Sequence, residues 1–310
     1  MKKAFCILLA TLLCVSLLAA CGASTAPEDT TAATQEEPTI DRTSPLSDGK
    51  TLKVLAVGNS FSDNTTDYLY DIATAEGMTD VVIGRLYISG CTVAMHLENA
   101  QSNAPAYEYS KNTSGHWKSI QSATLEYALK DEAWDIITVQ QGSSPSGIVE
   151  TYSGLSDLVS YINDKKSNPN ARLVWHMTWA YQVGSTNTAF SKYNNDQMTM
   201  YTAICNAVQE AVLPTKAFHS VIPAGTAIQN ARTSSIGDNL TRDTYHLNDL
   251  GKIIGAYTWY ASFVGKPLEA IHINSIANTI SLTDTDKAII IESVNHAISN
   301  PYSVTPSANT

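Results

Sequence analysis

The chain has 310 residues, of which 44% are hydrophobic and only 15% charged, so most of it folds around a sizeable core and is not a disordered chain. Its formal charge is −10, from 19 Lys and Arg against 29 Asp and Glu. That balance excludes an electrostatic footprint for nucleic acid or for an anionic lipid surface.

At the N-terminus, Lys2 and Lys3 precede an uncharged, largely apolar run from Ala4 to Ala20, the pattern of a signal peptide. The run ends in Leu18-Ala19-Ala20-Cys21-Gly22, which resembles the bacterial lipobox, and Cys21 is the expected lipidated residue. Residues 22–50 hold six Thr, three Pro and six acidic residues but no aromatic, so 21–50 is expected to be a disordered tether behind the lipid anchor. The predicted localisation is outside the cytoplasm, with the membrane as a partner through Cys21 only. Beyond Cys21, Cys91 and Cys205 remain, and their pairing cannot be read from spacing.

From Thr51 the pattern alternates between short apolar runs and helical stripes. Leu52–Val57 reads as a strand ending at Gly58, followed by a helix through Leu69, Ile72 and Ala73 that Gly77 closes. Val81–Ile88 and Asp135–Val139 are the second and third strands. Leu155, Leu158, Val159 and Ile162 form an amphipathic stripe. Leu173–Trp179 is the fourth strand, and a long helix follows with Met198, Tyr201, Cys205, Val208 and Val212 on one face. Ser220–Ile222 is a short fifth strand, Leu250–Val264 a helix closed by Gly265, and Thr283 caps a last helix with Asp286 three residues on. Strands apolar on both faces and separated by helices imply a mostly parallel sheet covered on both sides. The predicted fold is a three-layer α/β/α sandwich with a central five-stranded sheet over 51–298, followed by a flexible tail at 299–310.

Ligands of such sheets bind beyond the carboxyl ends of the strands. There the first strand runs into Gly58-Asn59-Ser60-Phe61-Ser62, a serine placed between a strand and a helix N-terminus, where a nucleophile has backbone N–H groups nearby. An ordinary helix cap at Ser60 or Ser62 explains this segment equally well. Downstream, Asp243-Thr244-Tyr245-His246 places a carboxylate three residues ahead of an imidazole, able to hold its Nδ1–H and leave Nε2 as a base.

Together these segments resemble the SGNH/GDSL hydrolases. The family's Gly-Asp-Ser block reads Gly58-Asn59-Ser60 here, its second-block glycine matches Gly90, and its last block matches Asp243 and His246. Thr138-Val139-Gln140-Gln141 and the run from Ile222 to Gln229 are similar to an SGNH-like branch of bacterial lipoproteins. The resemblance implies a flavodoxin-like sheet, Ser60 as nucleophile, His246 as base, Asp243 as its orienting acid, and an oxyanion hole from the N–H groups of Ser60 and Gly90. The family's third block, Gly-x-Asn-Asp, is absent. In its place stands Gln140-Gln141-Gly142, so Gln141, or Gln140, is the expected side-chain donor to the oxyanion.

Other patterns carry less. Gly142-Ser143-Ser144-Pro145-Ser146 fails the nucleophile-elbow spacing because position 146 is Ser. His176 lies mid-strand and reads as a core residue; the remaining histidines show no metal spacing, and there is no phosphate-binding glycine loop, so no cofactor or metal is expected. The stretch from Tyr107 to Trp117 reads as an aromatic-bearing insertion after the second strand's helix, either a hairpin shaping a substrate groove or a surface decoration. The expected function is a lipid-anchored serine esterase acting on small acyl esters, acetyl above all, carried by carbohydrate. The alternative is a lipoprotein that binds carbohydrate or peptidoglycan without turnover.

Overall fold

The computed structural model describes residues 44–276 and 280–310. The expected signal peptide at 1–20, the expected lipidation site Cys21 and the part of the expected tether up to residue 43 lie outside the described residues. Five parallel strands form the centre of the sheet: β1 (Thr51–Gly58), β2 (Asp80–Tyr87), β5 (Ile136–Val139), β6 (Arg172–His176) and β7 (Ser220–Ile222). They lie in the spatial order β2-β1-β5-β6-β7. Counting parallel strands alone, this is the flavodoxin-like order 2-1-3-4-5, whose switch point lies between the first and third strands. The registers Gly58↔Tyr87, Val57↔Val139, Val139↔Trp175 and His176↔Ile222 bring the carboxyl ends of all five strands to one edge.

The sheet has seven strands rather than five. The aromatic stretch after the second strand forms β3 (Tyr107–Asn112) and β4 (Trp117–Ala123), an antiparallel hairpin on the free side of β2. Its strands are polar, and most of β4 is exposed, so no continuous apolar run marks them in the sequence.

Central strands are buried because helices cover both faces. Along one face α1 (Ser60–Thr66), α2 (Leu69–Ala75), α7 (Ala224–Ala231), α8 (Asp249–Val264) and α9 (Asp284–Ser299) pack against one another. On the other, α3 (Val93–Gln101), α4 (Leu125–Asp131) and α5 (Leu155–Lys165) do the same. The terminators act as their chemistry requires: Gly265 adopts φ +63 after α8, and Thr283 with Asp286 forms a reciprocal capping box on α9. The long helix predicted after the fourth strand is α6 (Gln197–Ala207), running into a π-helical turn over Val208–Val212. Tyr201, Cys205, Val208 and Val212 are buried as expected, whereas Met198 is exposed. Cys91 and Cys205 are both free and buried.

Both ends of the folded unit extend further than the composition indicates. Leu46 and Ser47 donate their N–H groups to the Phe263 carbonyl at 2.9 and 3.0 Å, so folded structure begins before Thr51. The predicted flexible tail is docked: Thr305 N–H reaches Asn230 Oδ1, Ser307 N–H reaches Thr233 Oγ1, and the Glu292 carboxylate accepts from Ala308 N–H, each at 2.8 Å. Small polar residues read as a tail because their partners are backbone groups and side chains of α7 and α9, remote in sequence.

Candidate active site

The nucleophile segment is set by packing at the end of β1. A Cβ on Gly58 would come within 2.5 Å of Ser62 Oγ and 3.0 Å of the Gln140 side chain, so only glycine fits. Asn59 is the N-cap of α1, its Oδ1 accepting the Phe61 N–H at 3.0 Å, which makes Ser60 the first helical residue. Ser62, the other candidate, is buried and donates its hydroxyl to the Asn59 carbonyl at 2.8 Å; it is structural.

The partner turn is wound around one carboxylate. Asp243 Oδ1 accepts the N–H of His246 at 2.8 Å and that of Tyr245 at 3.3 Å, and Oδ2 faces His246 Nδ1 at 2.7 Å. With the Nδ1 proton donated to the carboxylate, Nε2 presents its lone pair to Ser60 Oγ, 2.8 Å away. The structure thus brings Ser60, His246 and Asp243 into one hydrogen-bonded chain. The imidazole side chain is 17% exposed and the carboxylate 40%, so solvent reaches the acid more than the base. Burial works against the charge on Asp243, but hydrogen bonds from the His246 side chain and backbone outweigh it and hold the carboxyl below its usual range.

The turn is strained and braced. Thr244 sits at φ +75, a conformation that β-branched residues rarely adopt. Its carbonyl accepts from Gln182 N–H and its hydroxyl pairs with Ser185, both at 2.8 Å. Trp179 Nε1 donates to the Tyr245 carbonyl at 2.8 Å, and Asn64 Oδ1 accepts the Leu247 N–H at 2.8 Å. Asn64 lies one turn after Ser60 on α1, so it ties the Ser60 helix to the residue after His246. Sequence reading missed it; the available signal was an asparagine at i+4 on a short polar helix.

Gly90 lies in the turn that leaves β2, at φ +63 with open space beside it. Among the described residues, neither its N–H nor that of Ser60 takes part in a turn, loop or cap hydrogen bond. The glutamines behave differently from the expectation. Gln141 Nε2 donates to the Thr151 carbonyl and hydroxyl at 3.0 and 3.1 Å, and its Oε1 accepts from Val93 N–H and Gly142 N–H, each at 2.9 Å. Gln140 Nε2 donates to Asn59 Oδ1 at 2.7 Å. Both amides are buried and engaged, so neither points a donor at Ser60, and the assignment of Gln141 or Gln140 to the oxyanion is corrected. They satisfy interior groups, Asn59 Oδ1, the Thr151 carbonyl and the Val93 and Gly142 N–H groups.

His176 is fully buried, as a core residue should be, with Nδ1 2.9 Å from Gln140 Oε1 and Nε2 without a partner. Burial alone pushes its imidazole down to about 3, so it is neutral at ordinary pH. One turn from Ser60, burial lifts the Asp63 carboxyl to about 6 against the pull of Arg85, with Asp67 and Glu108 adding to the rise. Arg85 itself pairs with Asp67 at 2.8 Å and lies 3.6 Å from the centre of the Trp117 ring, so the β3–β4 hairpin covers this charge cluster beside α1.

Comparison with known proteins bears on lineage. No curated protein matches the chain. Among solved structures it is similar to a DUF4886 family protein from Bacteroides uniformis, at 39% identity and a TM-score of 0.77, over 83% of this chain and 98% of that one. More remote are a Clostridium thermocellum family 3 carbohydrate esterase (18% identity, TM-score 0.40, 68% of this chain and 94% of that one) and a catalytic mutant of an acetylxylan esterase from Geobacillus stearothermophilus (12%, 0.44, 69% and 95%). The family model described as a domain of unknown function, DUF4886, matches residues 53–286, three quarters of the sequence and every strand of the sheet after the first two residues of β1. With that span, the chain belongs to the DUF4886 family.

Proposed function

We propose that this protein is a serine ester hydrolase, exported and held at a bacterial membrane by lipid on Cys21, that removes small acyl groups, acetyl above all, from carbohydrate. One observation carries the catalytic part: the chain Asp243–His246–Ser60, closed at 2.7 and 2.8 Å. Neutral His246 accepts the Ser60 proton as Oγ bonds to the ester carbonyl carbon. The resulting oxyanion meets the N–H groups of Ser60 and Gly90. Collapse breaks the ester C–O bond, and the departing alcohol takes the proton from His246. Water, deprotonated by the same imidazole, then releases the acid from Ser60. The substrate class rests on the export pattern at the N-terminus and on the resemblance set out above.

The test is turnover of acetylated mono- and oligosaccharides alongside an activated acetyl ester. Ser60→Ala should lower kcat by about three to six orders of magnitude with the fold intact. A protein that hydrolyses none of these esters, yet binds the sugars, would be the non-catalytic lipoprotein instead.

A further inference from the structure

Behind Ser60, two backbone groups dictate the wiring of a buried chain of side chains. The N–H of Phe61 can only donate, and Asn59 Oδ1 receives it at 3.0 Å. The carbonyl of Cys91 can only accept, and Asn59 Nδ2 reaches it at 2.9 Å. The Asn59 amide is therefore oriented by groups that cannot reverse. Its Oδ1 also lies 2.7 Å from the Gln140 amide, so that contact must be donation from Gln140 Nε2. Gln140 Oε1 then faces His176 Nδ1 at 2.9 Å, which requires the proton on Nδ1. His176 is the donor at the head of a one-way chain that ends on the Gly90–Cys91 turn.

Resting on the hydrolase reading above, we propose that His176 is a positioning residue which, through Gln140 and Asn59, holds the backbone N–H of Gly90 at the oxyanion. The imidazole suits the task. Its Nε2 has no partner, and its ring packs edge-on against Trp259 at 5.0 Å, so no competing acceptor draws the proton away from Nδ1. Without that donor, the buried Gln140 amide is free to turn, which sets oxygen against oxygen at Asn59 and releases the Cys91 carbonyl. A second buttress meets the turn from the other side. Gln141 Oε1 holds the Val93 N–H, and Gly142 packs so tightly that a Cβ there would lie 3.0 Å from the Gly90 carbonyl oxygen.

The experiment compares two variants and reads one tautomer. His176→Leu should lower kcat by about 10–100-fold while KM stays within about threefold, because the displaced N–H meets only the transition state. His176→Asn keeps an N–H at the δ position and should recover kcat to within about fivefold of the wild type. Wild-type kcat in a folded Leu variant overturns the proposal, and so do equal defects in both, which would mean packing alone. Should the Leu variant fail to fold, nitrogen NMR on the wild-type protein decides: protonated Nδ1 and bare Nε2 are expected at neutral pH, and the Nε2–H tautomer overturns the wiring. The tautomer is read without turnover, so a protein inactive on every ester would fail the hydrolase reading separately.

Discussion

Asp243 does two things with two oxygens, fixing the turn through Tyr245 and His246 N–H and setting the imidazole tautomer, and in the proposed mechanism it would also balance the imidazolium. Asp63, four residues from the interior network, is a carboxylate held against its preference. Its folded value of about 6 exceeds the ordinary 3.8, so the native state keeps a proton that the unfolded chain releases. Stability therefore falls as pH rises from about 4 to 6, and the deficit persists above that window. Asp63→Asn should remove it, raising stability at pH 8 by about 1–3 kcal/mol with little change near pH 4. Urea unfolding at both pH values measures this, and parallel profiles for the two proteins would refute it. Ser60, His246 and Asp243 were legible in the sequence through the resemblance of two separate blocks to one family, since the strand-end serine alone reads equally well as a helix cap. Gln140 and Gln141 were not, because their amides are oriented by Asn59, Val93 and Thr151, groups from three other segments.

At the scale of elements, α1 is only seven residues long, yet it carries Ser60 at its first position and Asn64 one turn on. The Asn64 contact joins α1 to the loop before α8 and so sets the approach of His246 to Ser60. Asn64→Ala leaves the Leu247 N–H buried without an acceptor, at a loss of about 1–3 kcal/mol. It should also lower kcat by about 10–100-fold through misalignment. Thermal unfolding and steady-state kinetics check both, and a destabilised variant with unaltered kcat would separate α1 from the alignment of the site. Helices with strong stripes, such as α5 and α8, were readable from periodicity alone. The β3–β4 hairpin was not placed in the sheet, since its polar strands gain order from pairing with β2 and from Trp117 lying over Arg85.

For the whole molecule, the strand order puts Val57, Val139 and Trp175 in register, so Gly58, Gln140 and His176 follow at one edge, beside the candidate site. That much of the architecture followed from fully apolar strands separated by helices. The docked termini did not, because composition records the absence of apolar residues and not the presence of distant hydrogen-bond partners. The proposed anchor makes a separate prediction. Cys21→Ala should move the protein from the membrane fraction to the soluble one while esterase kcat and KM stay unchanged, as fractionation and assay of the purified protein will register. Retention at the membrane in that variant would point to a different anchor.

In the proposed mechanism Ser60 is a nucleophile activated by His246. Reaction with a fluorophosphonate, followed by intact mass and peptide mapping, tests it most directly, because the probe bonds covalently only to an activated hydroxyl. One adduct per chain is expected, on Ser60, lost in Ser60→Ala and strongly slowed in His246→Ala. An unlabelled wild-type protein, or an adduct on another serine that persists in Ser60→Ala, would contradict it.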